Sequence, residues 1–260
     1  MKITMEQTRA KFIKSLLVGA SSVPLMMEAC KKDSVSNGSS SSTSDSTSTT
    51  TTTGTCTVTN SETDGPYPLY TSRGSALVRT DITEGTQTGL PLNITLTILN
   101  TNSSCAVLAN VVVDIWHCNK DGYYSGYANQ SGYLGTKDYT GDTFLRGRQT
   151  TDSNGQVKFT SIYPGWYTGR VTHIHVQIYN AANSSNEGSS NSMLTTQIAF
   201  PDDITQAVYK TSLYSAHGEN TITTAQDSIF SDGYTNELAT VTANSTTGGY
   251  DLAHTIHAAG

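Results

Sequence analysis

The chain is poor in charged residues and in histidine. Only 14% of its 260 residues are Asp, Glu, Lys or Arg, and the formal net charge is -6. Without residues 1–33 there remain 9 basic and 18 acidic side chains, a net charge of about -9. An acidic surface of this kind disfavours nucleic acid and anionic membrane surfaces as partners. Histidine occurs 6 times, so a pair of histidines placed one residue apart needs an explanation.

Long apolar runs are also scarce, and the N-terminal one is short. Residues 15–27 (SLLVGASSVPLMM) form an apolar run of 13 residues after a basic lead-in. Such a run is too short to span a bilayer as a stable helix but is typical of a signal peptide. Cys30 follows the small residue Ala29, and this junction resembles a bacterial lipoprotein cleavage site. We therefore predict a signal peptide at residues 1–29 and export to the bacterial cell envelope, with a lipid anchor on Cys30; a plain secreted protein is the alternative.

A polar segment follows the predicted anchor. Residues 34–55 are mostly Ser and Thr. A segment of that composition buries too little apolar surface to fold, so it is expected to be a flexible tether. We assign residues 30–55 to the acylated cysteine and the tether, and residues 56–260 to one folded domain.

Three cysteines remain in the predicted domain, which allows one disulfide in an exported protein. A predicted strand at residues 111–117 separates Cys105 from Cys118, so a bridge between these two would require the chain to double back. A bridge from Cys56 to either of them is easier. The sequence does not decide between the two partners.

The domain consists of short strand patterns separated by turn residues. This arrangement, with a single candidate helix at residues 203–214, predicts an all-β fold, an antiparallel β-sandwich with long loops that carry the active site. The C-terminal stretch is expected to form one more hairpin and a loose end. The predicted strands are residues 92–99, 111–117, 156–162, 171–179 and 195–200.

The histidine pair lies on one of these strands. Because side chains alternate along a strand, His173 and His175 project from the same face and could bind one metal ion. The alternative is a pair of histidines on a solvated face. Tyr167 and Arg170 stand just upstream, and a tyrosine pair follows the strand at residues 111–117. Tyrosine oxygens combined with imidazoles suit ferric iron better than zinc.

Several stretches together resemble the intradiol ring-cleavage dioxygenases, most closely their secreted, single-domain branch. The combination of WHC-N-x-x-G-x-Y, F-x-x-I-x-P-G-x-Y and R-x-x-H-I-H carries the resemblance, since no part of it is specific alone. The matching stretches are residues 62–69, 79–85, 105–127, 144–178 and 195–203.

The resemblance implies a mononuclear, non-haem Fe(III) centre. By motif position Tyr167 would be the axial ligand that leaves when substrate binds and then accepts a substrate proton. Tyr123 and Tyr127 are the alternatives for the position given to Tyr124. The implied iron ligands are Tyr124, Tyr167, His173 and His175; the implied substrate-side residues are Arg170, Gln197 and, over the site, Tyr67.

The activity that the resemblance implies is cleavage of a catechol-type diol by O2 to a cis,cis-muconate-type diacid. A non-catalytic cell-surface binding module and a zinc enzyme using the two histidines are the alternatives. Thr172 replaces a proline common in the protocatechuate branch, and no N-terminal helical region matches the dimerisation domain of the catechol branch. The particular catechol and the oligomeric state therefore stay open.

Other aromatic and polar residues are given structural roles. Trp116 and Trp166 are expected to be walls of the pocket or core, and His117 a structural residue near the site. Asp114 is expected to be solvated or paired with Arg146 or Arg148. The remaining histidines, interpreted as surface residues, are His217, His254 and His257.

Overall fold

The computed structural model describes residues 56–70, 74–183 and 188–260. Within these ranges the chain forms eleven β-strands, one α-helix and several short 3-10 helices. The predicted signal peptide, Cys30 and tether lie outside the described residues. The strands are β1 (Pro91–Asn100), β2 (Ala106–Val107), β3 (Val111–Trp116), β4 (Gln130–Gly132), β5 (Gly135–Lys137), β6 (Arg146–Thr150), β7 (Gln156–Ile162), β8 (His173–Asn180), β9 (Leu194–Ala199), β10 (Thr240–Asn244) and β11 (Gly249–Ala258).

Two sheets share one hydrophobic core, which makes the domain a sandwich as predicted. In the first sheet β1 pairs with β11 on one edge and with β7 and then β2 on the other, and β10 flanks β11. The second sheet has the order β6-β3-β8-β9. Alternate residues of β1, such as Leu92 and Ile94, pack in the core with Ile174 and Val176 of β8. The alternation of apolar and polar residues in the sequence therefore reports which face of each strand is buried.

Strand β8 departs from simple alternation because both of its faces are buried. Ile174, Val176 and Ile178 face the hydrophobic core between the sheets. The opposite face carries His173 and His175, which are nonetheless almost fully buried. Loops cover this second face, so a polar row of side chains is enclosed on the outside of the sandwich.

The C-terminal stretch is more ordered than predicted. The expected hairpin is present as β10 and β11, but the stretch is not a loose end, because β11 lies centrally in the first sheet. Its pairing with β1 is parallel, so the sandwich is not purely antiparallel. Leu252 and Ile256 of β11 enter the core, while threonine and histidine between them hide the apolar pattern from sequence inspection.

The helix and the disulfide complete the domain. Helix α1 (Asp202–Tyr209) occupies the first part of the predicted helical range, and turns follow it. Cys56 is bonded to Cys105, one of the two partners left open by the sequence, and Cys118 is a buried free thiol. Over the described ranges, no helix has the length and hydropathy needed to cross a membrane.

Candidate active site

The face of β8 that points away from the core gathers side chains from four other parts of the chain. The loop after β3 contributes Tyr124, the loop between β7 and β8 contributes Tyr167 and Arg170, and β9 contributes Gln197. The segment of residues 62–70 lies over them with Tyr67. The structure thus brings all of the sequence-predicted site residues together.

The two histidines meet through their Nε2 atoms, which are 3.1 Å apart. The Nδ1 atom of His173 lies 2.6 Å from the carbonyl oxygen of Val171 and must donate to it, because a carbonyl only accepts. The Nε2 atom of His173 is therefore unprotonated, with its lone pair directed at His175 and at the hydroxyl of Tyr124, 3.3 Å away. Three potential metal ligands converge at this point.

Tyr124 is held by its backbone. Gln130, the first residue of β4, accepts from the Tyr124 amide at 2.7 Å and donates to its carbonyl at 2.7 Å. The turn before it requires glycine at position 122, where φ is 86° and a Cβ atom would lie 2.2 Å from the carbonyl oxygen of Trp166. This local structure fixes the direction of the Tyr124 ring.

The neighbouring tyrosines point elsewhere. The hydroxyl of Tyr123 donates to the carbonyl of Gly135 at 2.7 Å, in the β4–β5 hairpin. The hydroxyl of Tyr127 donates to the carbonyl of Pro68. Neither oxygen has a contact with the histidine pair, so the geometry favours Tyr124 over the two alternatives.

Tyr167 and Tyr67 complete an aromatic enclosure. The ring of Tyr67 stacks on that of Tyr124 with centroids 4.8 Å apart. The ring of Tyr167 lies edge-on to Tyr124 at 5.9 Å and to His173 at 5.5 Å. Tyr167 and Tyr67 are only partly buried, whereas Tyr124 is fully buried.

Arg170 is the cation beside this cluster, and it is 8% exposed. Its Nη1 donates to the Tyr167 hydroxyl at 3.4 Å and its Nη2 to Gln197 Oε1 at 2.6 Å. Its Nε lies 2.9 Å from both carboxylate oxygens of Asp227. Sequence analysis missed Asp227, which lies in a polar stretch with no motif. The available signal was indirect, because a buried arginine needs a carboxylate partner.

The electrostatics of the cluster favour uncharged side chains. Burial lowers the pKa of His173 and of His175 well below its usual range, and the positive charge of Arg170 lowers it further. Burial also raises the pKa of Tyr124 well above its ordinary value and that of Tyr167 to about 12, although Arg170 opposes the rise. Neutral imidazoles are ready to bind a metal ion, and a bound cation would favour ionisation of the phenols.

This donor set fits a ferric ion in its chemistry. The Nε2 atom of His173 lies 3.1 Å from Nε2 of His175 and 3.3 Å from the hydroxyl of Tyr124, and all three residues are almost completely buried. Anionic phenolates are hard oxygen ligands that suit Fe(III). In the part of the chain that the structure describes, no group of three or more His, Cys, Asp or Glu side chains is arranged to hold a metal ion.

The remaining aromatic residues near the site support it. Trp116 stacks on His175 with rings 4.9 Å apart and nearly parallel. Both ring nitrogens of His117 are used, by the Cys118 carbonyl and the Ser161 hydroxyl, so His117 offers no lone pair to the cluster. Trp166 turns away from the cluster and packs on His217 at 4.3 Å.

Not every structural expectation holds. His217 is buried, not on the surface, because the ring of Trp166 covers it. His254 and His257 are partly buried on β11, the strand that sequence analysis took for a loose end. The expectation for Asp114, by contrast, is confirmed: it pairs with Arg148, at 2.5 Å, across the β3–β6 ladder.

Comparison with known proteins identifies the family. The sequence model of a family described as "Dioxygenase" matches residues 65–227. The fold is similar to an intradiol ring-cleavage dioxygenase from Tetranychus urticae, with 25% identity and a TM-score of 0.63, over 78% of this chain and 95% of that one. It is also similar to the dioxygenase domain of a dioxygenase carbohydrate-binding protein fusion from Streptomyces sp. SirexAA-E, with 24% identity and a TM-score of 0.52, over 77% of this chain and 97% of that one.

No curated protein matches the sequence. The family match covers more than half of the chain and includes most of the segment over the site, the tyrosine loops and the histidine strand. The chain therefore belongs to the intradiol ring-cleavage dioxygenases, enzymes of the oxidoreductase class that cleave catechol-type rings.

Proposed function

We propose that the protein is an Fe(III)-dependent dioxygenase that cleaves a catechol-type diol with O2 to a cis,cis-muconate-type diacid. The bond between the two hydroxyl-bearing carbons breaks, and each carbon gains one atom of O2 to become a carboxyl group. The observation that carries the proposal is that His173 Nε2 lies between Tyr124 Oη and His175 Nε2, within hydrogen-bond distance of both, with Tyr167 beside them. These four residues would hold the iron.

The chain supplies the groups that move protons and stabilise charge. Bound Fe(III) would supply Lewis acidity toward the two diol oxygens. The oxygen of the partly buried Tyr167 would accept a proton from the substrate as a general base. Each Nη atom of Arg170 donates one hydrogen bond within the described residues and carries a second N–H, which would stabilise negative charge developing on the substrate ring.

The enclosure also limits access of water. Tyr67 stacks on Tyr124, and Trp116 stacks on His175, so apolar ring faces surround the polar atoms. In such a low-dielectric site, the interaction between the Arg170 charge and a negative charge developing on the substrate is stronger than in water. A guanidinium suits this place because it stays charged when buried.

The test is the visible absorption of the iron-loaded protein, followed by oxygen uptake with catechol, protocatechuate and hydroxyquinol. Tyrosinate bound to Fe(III) absorbs visible light, and we expect Tyr124→Phe to weaken this absorption and to lower the bound iron. Tyr123→Phe is the matched control, because its buried hydroxyl bonds to Gly135 outside the cluster. A colourless iron-loaded protein that consumes no O2 with any of these diols would refute the proposal.

We also propose that the enzyme is exported and anchored to the cell envelope through a lipid on Cys30. The support is the basic and apolar leader followed by Ala29 and Cys30. Cells given a labelled fatty acid are expected to incorporate label into the full chain and not into Cys30→Ser. Equal labelling of the two proteins would show that Cys30 is not the attachment point.

A further inference from the structure

Asp227 is the buried counter-charge of the active-site arginine. It is 0% exposed, and both of its carboxylate oxygens lie 2.9 Å from Nε of Arg170. The two residues are 57 positions apart in sequence and meet only in the folded domain. A buried carboxylate beside a buried guanidinium is stable only when the geometry of the pair is well fixed.

Asp227 is itself fixed by backbone donors. The amide of Val171 donates to its Oδ2 at 2.8 Å, and the amide of Ile229 donates to its Oδ1 at 2.9 Å. A short 3-10 helix at Thr224–Gln226 precedes Asp227, with a capping box formed by Thr223 and Gln226. The carboxylate is therefore held by groups other than Arg170.

The position of the Asp227 carboxylate determines which N–H groups of Arg170 are available to contact a substrate. Asp227 accepts a hydrogen bond from Nε, the guanidinium nitrogen nearest to the main chain. The Nη1 and Nη2 atoms lie at the far end of the guanidinium and keep their N–H groups for other partners. Gln197 takes one hydrogen of Nη2, and the Tyr167 hydroxyl takes one hydrogen of Nη1. The guanidinium is thus held at its near end and presents its far end to the site.

The same carboxylate reaches the histidine strand through the backbone. Val171 donates its amide to Asp227, while the Val171 carbonyl accepts from Nδ1 of His173. Asp227 therefore binds the backbone between Arg170 and His173, through the amide of Val171. The side chain of Phe230, from the same C-terminal loop, flanks the guanidinium at 5.7 Å.

We propose that Asp227 is a positioning residue of this enzyme, which acts on the reaction by aiming the Nη atoms of Arg170 at the substrate beside Tyr167. The proposal rests on the proposed function, because it assigns to Arg170 the stabilisation of charge on the substrate ring. Loss of the Asp227 carboxylate is expected to slow turnover about 10- to 100-fold, since a misplaced active-site donor has effects of this size.

The experiment is a double-mutant cycle with iron-loaded enzyme. Asp227→Asn keeps the size of the side chain and removes its charge. It is prepared in the wild-type protein and in Arg170→Ala, and kcat, KM for the diol, iron content and visible absorption are measured for all four proteins. Asp232→Asn is the matched control, because it removes the same charge from an exposed residue of the same loop.

We expect Asp227→Asn to keep the iron and the visible band, to lower kcat more than it changes KM, and to have little further effect in Arg170→Ala. The proposal is overturned if kcat falls no more than in Asp232→Asn. It is also overturned if Asp227→Asn lowers kcat by the same factor with and without Arg170, because that result indicates a purely structural role.

If Asp227→Asn does not fold, Asp227→Glu takes its place in the same cycle and is judged by the same two outcomes. It keeps the charge but moves the carboxylate by one methylene. Failure of the proposed function is visible separately, in the wild-type enzyme, as absence of oxygen uptake with every diol; the positioning proposal then falls with it.

Discussion

In the proposed function, the residues of this site divide between binding a cation and transferring protons. His173, His175 and Tyr124 are almost completely buried, whereas Tyr167 is only partly buried. A buried ligand is difficult to displace, while a partly exposed one can exchange its partners. Tyr167 is therefore the phenol best placed to act on an incoming substrate.

Tyr167→Phe tests this duty. The change removes the hydroxyl that accepts from Arg170 and keeps the ring that packs on Tyr124 and His173. We expect the fold and most of the iron to be retained while kcat falls about 100-fold or more, the usual cost of losing a general base. Steady-state oxygen uptake measures kcat, and iron content serves as the control. An unchanged kcat would remove Tyr167 from proton transfer.

How far the sequence could predict these residues depends on whether their geometry is local. His173 and His175 lie two positions apart on one strand, so period-two alternation places them on one face. Tyr124 and Tyr167 follow from motif positions. Asp227 does not, because its contact with Arg170 spans 57 positions and no local pattern encodes it.

At the scale of elements, the segment of residues 62–70 acts as a cover for β8. It has no regular secondary structure, but its backbone pairs with β9 through Glu62 and its side chain at Tyr67 stacks in the site. Gly65 brings the cover close to the histidines, with φ of 70° and with space for no side chain above His175. The cover can approach the imidazole because glycine is present.

Gly65→Ala is expected to disturb iron binding. The new Cβ atom would lie 2.7 Å from Cε1 of His175, so the ring or the cover must move. Gly85→Ala is the matched control, because Gly85 has a similar φ of 65° and nothing within 4 Å of its Cβ position. Both variants should lose about 1–3 kcal/mol from backbone strain. Only Gly65→Ala should lose visible absorption per protein; equal spectra would show that the contact with His175 is unimportant.

Strands were predicted correctly where apolar and polar residues alternate clearly in the sequence. Prediction failed where contacts between distant parts of the chain determine pairing or burial. The strands at β1, β3, β7, β8 and β9 were predicted within about two residues of their ends, which is the usual uncertainty of such boundaries. The parallel pairing of β11 with β1 could not be predicted, because registers between distant strands depend on the whole fold. The burial of His217 depends likewise on Trp166, which lies far away in sequence.

At the scale of the whole molecule, buried acids link stability to pH. Glu237 is fully buried, and the side-chain hydrogen bonds that it accepts among the described residues, from Asn60 and Thr196, are 3.4 Å long. Burial, together with the nearby charge of Glu62, raises the pKa of Glu237 to about 8. Because this folded-state pKa lies above the ordinary value of a glutamate, the native state binds the proton more tightly than the unfolded state.

The free energy of unfolding should therefore decrease as the pH rises from about 5 to about 8. We expect this group to contribute roughly 1–2 kcal/mol to the decrease, with allowance for screening by solvent. Glu237→Gln should flatten the dependence in urea unfolding at several pH values, whereas the exposed Glu219→Gln should not. The attribution to Glu237 fails if wild type and Glu237→Gln show the same slope.

The central position of β11 has a consequence for how the domain is made. The strand pairs with β1 along nine residues, from Leu92 with Tyr250 to Asn100 with Ala258. During synthesis β1 leaves the ribosome long before β11, so the first sheet must wait for its central partner. Contacts between such distant segments form slowly, and the edge of β1 that β11 covers stays unpaired meanwhile. A secretion machinery that transports unfolded chains would have the time between the synthesis of β1 and that of β11 in which to bind the nascent chain.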